Sequence, residues 1–200
     1  MIQDVDDTLK ELLVTQMPIN PVGSIDVKFD MPNKDWSATV TKPTINLFLY
    51  DVRENHELRS NDRTLTRNTG AVPPTGIVSR PPVRMDLSYL ISVWTTDIAD
   101  EHQVLGQVLN TLLQFPLLPN AVLKGSLQSQ PFPVQAWIAQ PERLPNPWEF
   151  WGHMDHGMKA SLNFVLTTSW QPIQDETFPL VLKSTIKIPT AFPNPTNQTT

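Results

Sequence analysis

Val83-Arg84-Met85-Asp86-Leu87-Ser88-Tyr89-Leu90-Ile91-Ser92-Val93-Trp94 is followed closely by Asp97-Ile98-Ala99-Asp100-Glu101-His102-Gln103-Val104-Leu105-Gly106-Gln107-Val108-Leu109-Asn110-Thr111-Leu112-Leu113 and closed by Phe115-Pro116-Leu117-Leu118-Pro119. In the first part Met85, Leu87, Tyr89, Ile91 and Val93 alternate with Asp86, Ser88 and Ser92, the period of a strand with one face in a core. In the second, Leu105, Val108, Leu109, Leu112 and Leu113 recur at the spacing that gathers them on one helix face. Asp97 is placed to accept from first-turn amides, Asp100 and Glu101 suit the positive helix end, and the two prolines stop the helix. A helix is therefore expected over Ala99–Phe115. This βα unit reads as a building block, and no catalytic signature accompanies it.

Outward from that unit, Ile2, Val5, Leu9, Leu12 and Leu13 predict a helix over Ile2–Gln16 that ends before Pro18. Ile25, Val27 and Phe29 suggest a short strand. Ile45 to Val52 is apolar on both faces, as expected of a central strand covered on both sides. Val134 to Ile138 reads as another strand, and Pro147-Trp148-Glu149-Phe150-Trp151 as a short helix with proline in its first turn. Leu162, Phe164, Leu166 and Trp170 alternate with polar residues and predict a half-buried strand. The fold class expected is α/β (α+β in some schemes), a mixed, mostly antiparallel sheet flanked by helices, with an extended C-terminal strand.

Two segments fall outside that scheme. From Glu54 to Pro82 the chain is polar, arginine-rich (Arg59, Arg63, Arg67) and without periodicity, longer than the ~12–15 residues of an ordinary loop. After Pro179, Leu180, Leu182, Ile186 and Ile188 alternate with a face that carries Lys183 and Lys187. This is the pattern of a lone strand before a Pro/Asn/Thr tail expected to be disordered. The division expected is residues 1–178 as the main domain and 179–200 as strand and tail.

Composition narrows the function. With 40% hydrophobic and 18% charged residues in 200 the chain is globular, and no apolar run is long enough to span a bilayer. A net charge of -5 argues against nucleic acid as the main partner. The absence of cysteine excludes disulfides and thiolate zinc sites. Its acidic start lacks the basic and apolar regions of a signal peptide, so a cytosolic start is expected. The 20 prolines, twice the usual ~5%, cluster between the patterned segments and mark extended connections.

Few residues invite chemistry. His153-Met154-Asp155-His156 has metal-ligand types within one turn, yet Gly152 and Gly157 bracket it as a polar turn would be bracketed. His102 is either a proton carrier tuned by Asp100 and Glu101 or a half-buried residue at the edge of the apolar stripe. There is no serine or cysteine nucleophile motif and no glycine-rich phosphate loop, so no cofactor is expected and an enzyme is disfavoured. Six tryptophans read as core anchors or as a stacking platform. Asp51 and Arg53 share one strand face, as do Arg84 and Asp86. If the strands are antiparallel neighbours, the four form cross-strand ion pairs or brace the arginine segment for an intersubunit contact.

The Ile2–Gln16 helix, Ile45-Asn46-Leu47-Phe48-Leu49-Tyr50-Asp51-Val52-Arg53-Glu54-Asn55, Asp86 to Thr95 with the His102-Gln103-Val104-Leu105-Gly106 helix, and Pro147 to Trp151 leading into Leu162-Asn163-Phe164 occur in order. Together, over Met1 to Trp170, they resemble the cap or tail-terminator family of extracellular contractile injection systems, of the Photorhabdus virulence cassette and antifeeding prophage type. The resemblance implies a non-catalytic structural protein. It would form a homo-oligomeric ring, a hexamer, that ends the inner tube and anchors the last sheath ring. Its partners would be its own copies, the sheath protein and the inner tube protein, with no nucleic acid or membrane as main partner. It would assemble in the cytoplasm as part of a particle released outside the cell. The assembly contacts expected are Asp51, Arg53, Glu54, Arg59, Arg63, Arg67, Arg84 and Asp86, with Leu180, Leu182, Lys183, Ile186, Lys187 and Ile188 for the sheath. A small enzyme or ligand-binding domain using the histidine turn, and a monomeric adaptor, are the alternatives.

Overall fold

A computed structural model describes residues 1–18, 25–140 and 147–181. In chain order the elements are α1 (Ile2–Gln16), β1 (Asp26–Lys28), α2 (Lys34–Thr39), β2 (Thr44–Glu54), β3 (Thr64–Asn68), β4 (Thr75–Ser79) and β5 (Val83–Trp94). There follow α3 (Ile98–Leu113), a 3-10 turn at Gly125–Ser129, β6 (Gln135–Ile138), α4 (Pro147–His153), β7 (Ser161–Trp170) and β8 (Glu176–Pro179). Contacts gather the chain into two compact units, residues 1–60 with 82–172, and residues 61–81 with 173–200. No helix among the described residues is long and apolar enough to cross a membrane.

The first unit is built on a five-stranded sheet in the order β1-β2-β5-β7-β6, antiparallel except for β1 against β2. β5 lies at its centre, as the alternation of Met85 to Val93 requires. Leu87, Tyr89, Ile91 and Val93 point to the side where Val5, Leu9, Leu12 and Leu13 of α1 and Val108 and Leu112 of α3 complete the larger core. Each such side chain removed from water contributes roughly 1.5–3 kcal/mol. Tyr89 is fully buried, and its hydroxyl donates to Asp6 Oδ1 at 2.8 Å, tying α1 to the central strand. Burial pushes both groups' pKa up, the Tyr89 hydrogen bond partly offsetting the effect on Asp6.

α3 starts as its sequence dictates, Asp97 Oδ1 accepting from Ala99 N–H at 2.6 Å. Glu101, expected merely to favour the helix end, is buried and paired with Lys159 instead. Leu113 departs from the expected stripe: as the last helical residue it is 57% exposed, beyond the reach of the core. The proline-bounded stretch that stops α3 then guards a sheet edge. Leu118 N–H donates to Val134 O at 3.0 Å, and Ala136 N–H to Pro116 O at 2.8 Å.

The other sheet face carries a smaller core, Leu90, Trp94, Trp151 and Met154 with Trp36, Phe48 and Tyr50 against it. Trp94 meets Trp36 edge-on at 5.3 Å, and Trp151 is essentially inaccessible to solvent. Core anchoring, not a stacking platform, is what these aromatics do. β2 is thus covered on both faces, as its composition predicts, by Ile45 and Leu47 on one side and Phe48 and Tyr50 on the other.

The second unit corrects the reading of Glu54–Pro82 as an unpatterned loop. Thr64–Asn68 and Thr75–Ser79 form a hairpin, and β8 adds antiparallel to β4, giving the order β3-β4-β8. Thr64, Thr66 and Asn68 alternate with Leu65 and Arg67, a strand period hidden by the scarcity of apolar residues. The expected division at 178/179 falls within β8, whose residues 176–179 pair with β4. Leu180 continues the pairing through its N–H to Pro74 O at 2.8 Å, so the start of the C-terminal strand is not alone.

Two glycines mark close approaches. Gly125 has φ of +51°, and a Cβ there would lie 2.4 Å from Asp4 Oδ1, because Asp4 accepts from Ser126 N–H at 3.1 Å and Ser126 Oγ at 2.5 Å. Gly125→Ala is expected to cost about 1–3 kcal/mol of unfolding free energy in a denaturant titration. These Ser126 hydrogen bonds also hold the Asp4 pKa below its ordinary 3.8. A lowered carboxyl pKa stabilises the fold above the ordinary value and loses that effect as pH falls through the folded one. The stability gap between wild type and Asp4→Asn should therefore be full above pH 3.8 and shrink on further acidification. Gly76 lies under Phe178, whose Cζ would be 2.8 Å from an added Cβ. Gly76→Val should unseat β8, read as faster amide exchange across residues 176–180 with the first unit's protection unchanged.

Candidate functional site

The charged residues singled out by the sequence converge on one sheet face because of a bulge in β2. The register runs Leu49 against Tyr89 and then Asp51 against Ser88, which leaves Tyr50 as the extra residue. Without it Asp51 and Arg53 would share the core face with Leu87. With it Val52 takes the place opposite Leu87, and Arg53 stands opposite Asp86. Tyr50 stays half-buried against Phe150 at 5.5 Å, and its burial raises its pKa.

The expected antiparallel pairing is present, but the partners differ from a simple set of cross-strand ion pairs. Arg53 Nε contacts Asp51 Oδ2 on its own strand at 2.5 Å. Asp86 accepts from both neighbours, from Thr167 Oγ1 at 2.6 Å and from Asn55 Nδ2 at 3.1 Å to each oxygen. Arg59 Nε reaches Glu54 at 3.4 Å. These residues surround a cleft of about 320 Å³ whose lining includes Asp51, Arg53, Glu54, Asn55, Glu57 and Asp86. Carboxylates outnumber cations there, so its surface suits a basic counterpart. The arrangement offers charge and hydrogen-bonding capacity to a docking surface.

Arg84 lies two residues from Asp86, opposite Ser169, and is 7% exposed. The ring of Phe132 covers its Cζ at 4.9 Å. Burial pulls the guanidinium pKa below its ordinary value, an effect Asp86 opposes. Sequence reasoning missed Asn55, Thr167, Ser169 and Phe132. The β5–β7 register brings Thr167 and Ser169 beside the charges, Asn55 follows the end of β2 and Phe132 lies in the loop before β6, and no local pattern announces their meeting.

Other expected contacts lie elsewhere. Arg63 and Arg67 are exposed on the second unit, just before and within β3. Leu180 is half-buried on that unit. Leu182, Lys183, Ile186, Lys187 and Ile188 lie outside the described residues. His102 is exposed on α3, so the half-buried edge position is not realised. The histidine turn packs as a turn. The Nδ1 of His153 meets Glu149 O at 2.6 Å and that of His156 meets Gly157 O at 2.8 Å. The His156 ring lies 5.0 Å from Trp94 and 5.9 Å from Trp151. No group of three or more His, Cys, Asp or Glu able to hold a metal occurs among the described residues.

This fold is that of the caps that end contractile injection tubes. The chain covers 96% of its length against the sheath/tube terminator of the extracellular contractile injection system PVC in its extended state, with a TM-score of 0.68 and 23% identity. Against the tube-terminating cap of the anti-feeding prophage it covers 94%, with a TM-score of 0.68 and 22% identity. The profile of the Pvc16 N-terminal domain matches residues 4–177, and the chain belongs to that family. It spans 65% and 62% of those two solved chains, less than two thirds of either. No curated protein matches it.

Asp86→Ala should destabilise the first unit by about 1–3 kcal/mol, since it leaves the buried Thr167 and Asn55 donors unmet. Arg53→Glu, on a side chain 76% exposed, should shift stability by no more than about 0.5 kcal/mol. Urea titration of the two variants separates a fold-bearing from a surface-facing charge in the same cleft.

Proposed function

We propose that this chain is a structural cap of a contractile injection system. Copies form a ring, a hexamer, that ends the inner tube and holds the last ring of sheath. The observation that carries this reading is the match to the Pvc16 N-terminal domain over residues 4–177, which runs through both compact units. The relatives named as sheath/tube terminator and tube-terminating cap support the choice of tube and sheath proteins as partners. They also support a place in an extracellular phage-tail-like particle; on this reading the particle is assembled in the cytoplasm. No catalytic step is assigned to it.

The mechanism is steric. A ring complementary to the tube on one face stops growth because its other face offers no site for the next subunit. Holding the sheath at that end lets contraction drive the tube while the top remains joined. On this reading Asp51, Arg53, Glu54, Arg59, Arg63 and Arg67 contact neighbouring copies. Residues 1–178 carry the capping function, and the alternating run from Leu180 to Ile188 adds to a sheath subunit's sheet by main-chain hydrogen bonds.

Particles assembled without this chain should have inner tubes of unregulated length in electron micrographs, and those with it a narrow length distribution. An unchanged distribution contradicts the cap. Deleting residues 182–200, which spares β8 and Leu180, should leave tube length controlled but release the sheath. A sheath that stays attached removes the C-terminal strand from the mechanism.

A further inference from the structure

Four buried polar atoms lie close together at one end of the first unit's sheet without a hydrogen-bond partner: Arg84 Nε, Arg84 Nη2, Gln130 Nε2 and Ser169 Oγ. The β5–β7 register sets Arg84 opposite Ser169. Gln130 is fixed at the same place, since its Oε1 accepts from Ser169 N–H at 3.0 Å, turning its amide nitrogen free. Phe132, flanked by Pro131 and Pro133, lies over the guanidinium at 4.9 Å and is itself 45% exposed. Buried donors are ordinarily paired and an unmet one is destabilising, so a cluster of them needs a reason.

We propose that Arg84, Gln130 and Ser169 receive a carboxylate side chain of a neighbouring copy of this chain, with Phe132 covering the pair. The inference rests on the ring reading and names one of its contacts. The two unmet nitrogens of Arg84 are those on the Nε edge of the guanidinium, whose parallel N–H bonds match the two oxygens of a carboxylate. Gln130 and Ser169, joined by their own hydrogen bond at the register position opposite Arg84, supply further donors. Every unmet group can donate, so the counterpart is an acceptor carrying negative charge. The acid nearest along the strand, Asp86, is already held by Asn55 and Thr167. A second copy is rich in the required group, with 20 acidic against 15 basic residues. The Phe132 ring keeps water from the pair once it forms, and its position between prolines limits what the loop loses on ordering.

Arg84→Met tests this, with Lys10→Met, an exposed helix position, as the control for lost charge. An apolar side chain of similar length removes an unpaired buried charge, so the isolated Arg84→Met protein should unfold at the same temperature as wild type or a few degrees higher. It should also be missing from rings, in light scattering and negative-stain images, under conditions where wild type and Lys10→Met assemble. A lower unfolding temperature overturns the proposal, because Arg84 then serves its own fold. Rings of Arg84→Met as abundant as those of wild type overturn it too. If wild type forms rings neither alone nor on tube ends the cap reading is what suffers, and the unfolding temperatures still decide the site.

Discussion

One inserted residue in β2 settles what the central sheet can present to the outside. Ile45, Leu47 and Leu49 build the larger core on one side. Had the strand continued in strict alternation, Asp51 and Arg53 would have followed them into it. The bulge at Tyr50 moves both charges to the opposite face, returns Val52 to the side of Leu87, and sets Arg53 across from Asp86. From that single shift follow the acidic cleft and the placing of Arg53 across from Asp86, while the unbroken β5–β7 register sets Thr167 on Asp86 and Ser169 opposite Arg84. Bulges concentrate where a strand must re-aim its side chains, and this one divides a strand between core and a charged face.

The two faces of the sheet therefore do different work. One is sealed by α1 and α3, fixed by the Tyr89–Asp6 hydrogen bond and the Asp4 cap on the Gly125–Ser129 turn. The other is sealed only in part, by the Trp94 and Trp151 cluster at one end, and is polar at the other. On the cap reading, this arrangement supplies a rigid interior that holds shape and a polar face for contact with another copy. The second unit adds a sheet of short strands with β3 fully exposed, Arg67 on it and Arg63 just before it. Strands of this length and exposure gain little from their own core.

Much of this was legible in the residues. The βα unit from Val83 to Leu113 and the α1 stripe are strong because many apolar residues agree on one period, and their bounds match the structure to within a residue or two. The Asp97 cap was readable because capping is local. The bulge was harder to see, though it leaves a trace: the apolar spacing changes from two to three between Leu49 and Val52. The β3–β4 hairpin was missed because Thr and Arg carry the strand pattern where Leu and Val usually do. The site was only half legible. Its charges stand in the sequence, but Thr167 and Ser169 meet them through the β5–β7 register, Asn55 from just past the end of β2, and Gln130 and Phe132 from the loop before β6.

The measurement that tests the account most directly is the solution mass of the purified chain, by light scattering over a range of concentrations, with images of the same sample or of tube ends mixed with it. The account requires a closed ring, with a mass several times the 22.6 kDa of one chain, alone or on the tube end. A chain that remains at 22.6 kDa and leaves tube ends bare at every concentration contradicts it.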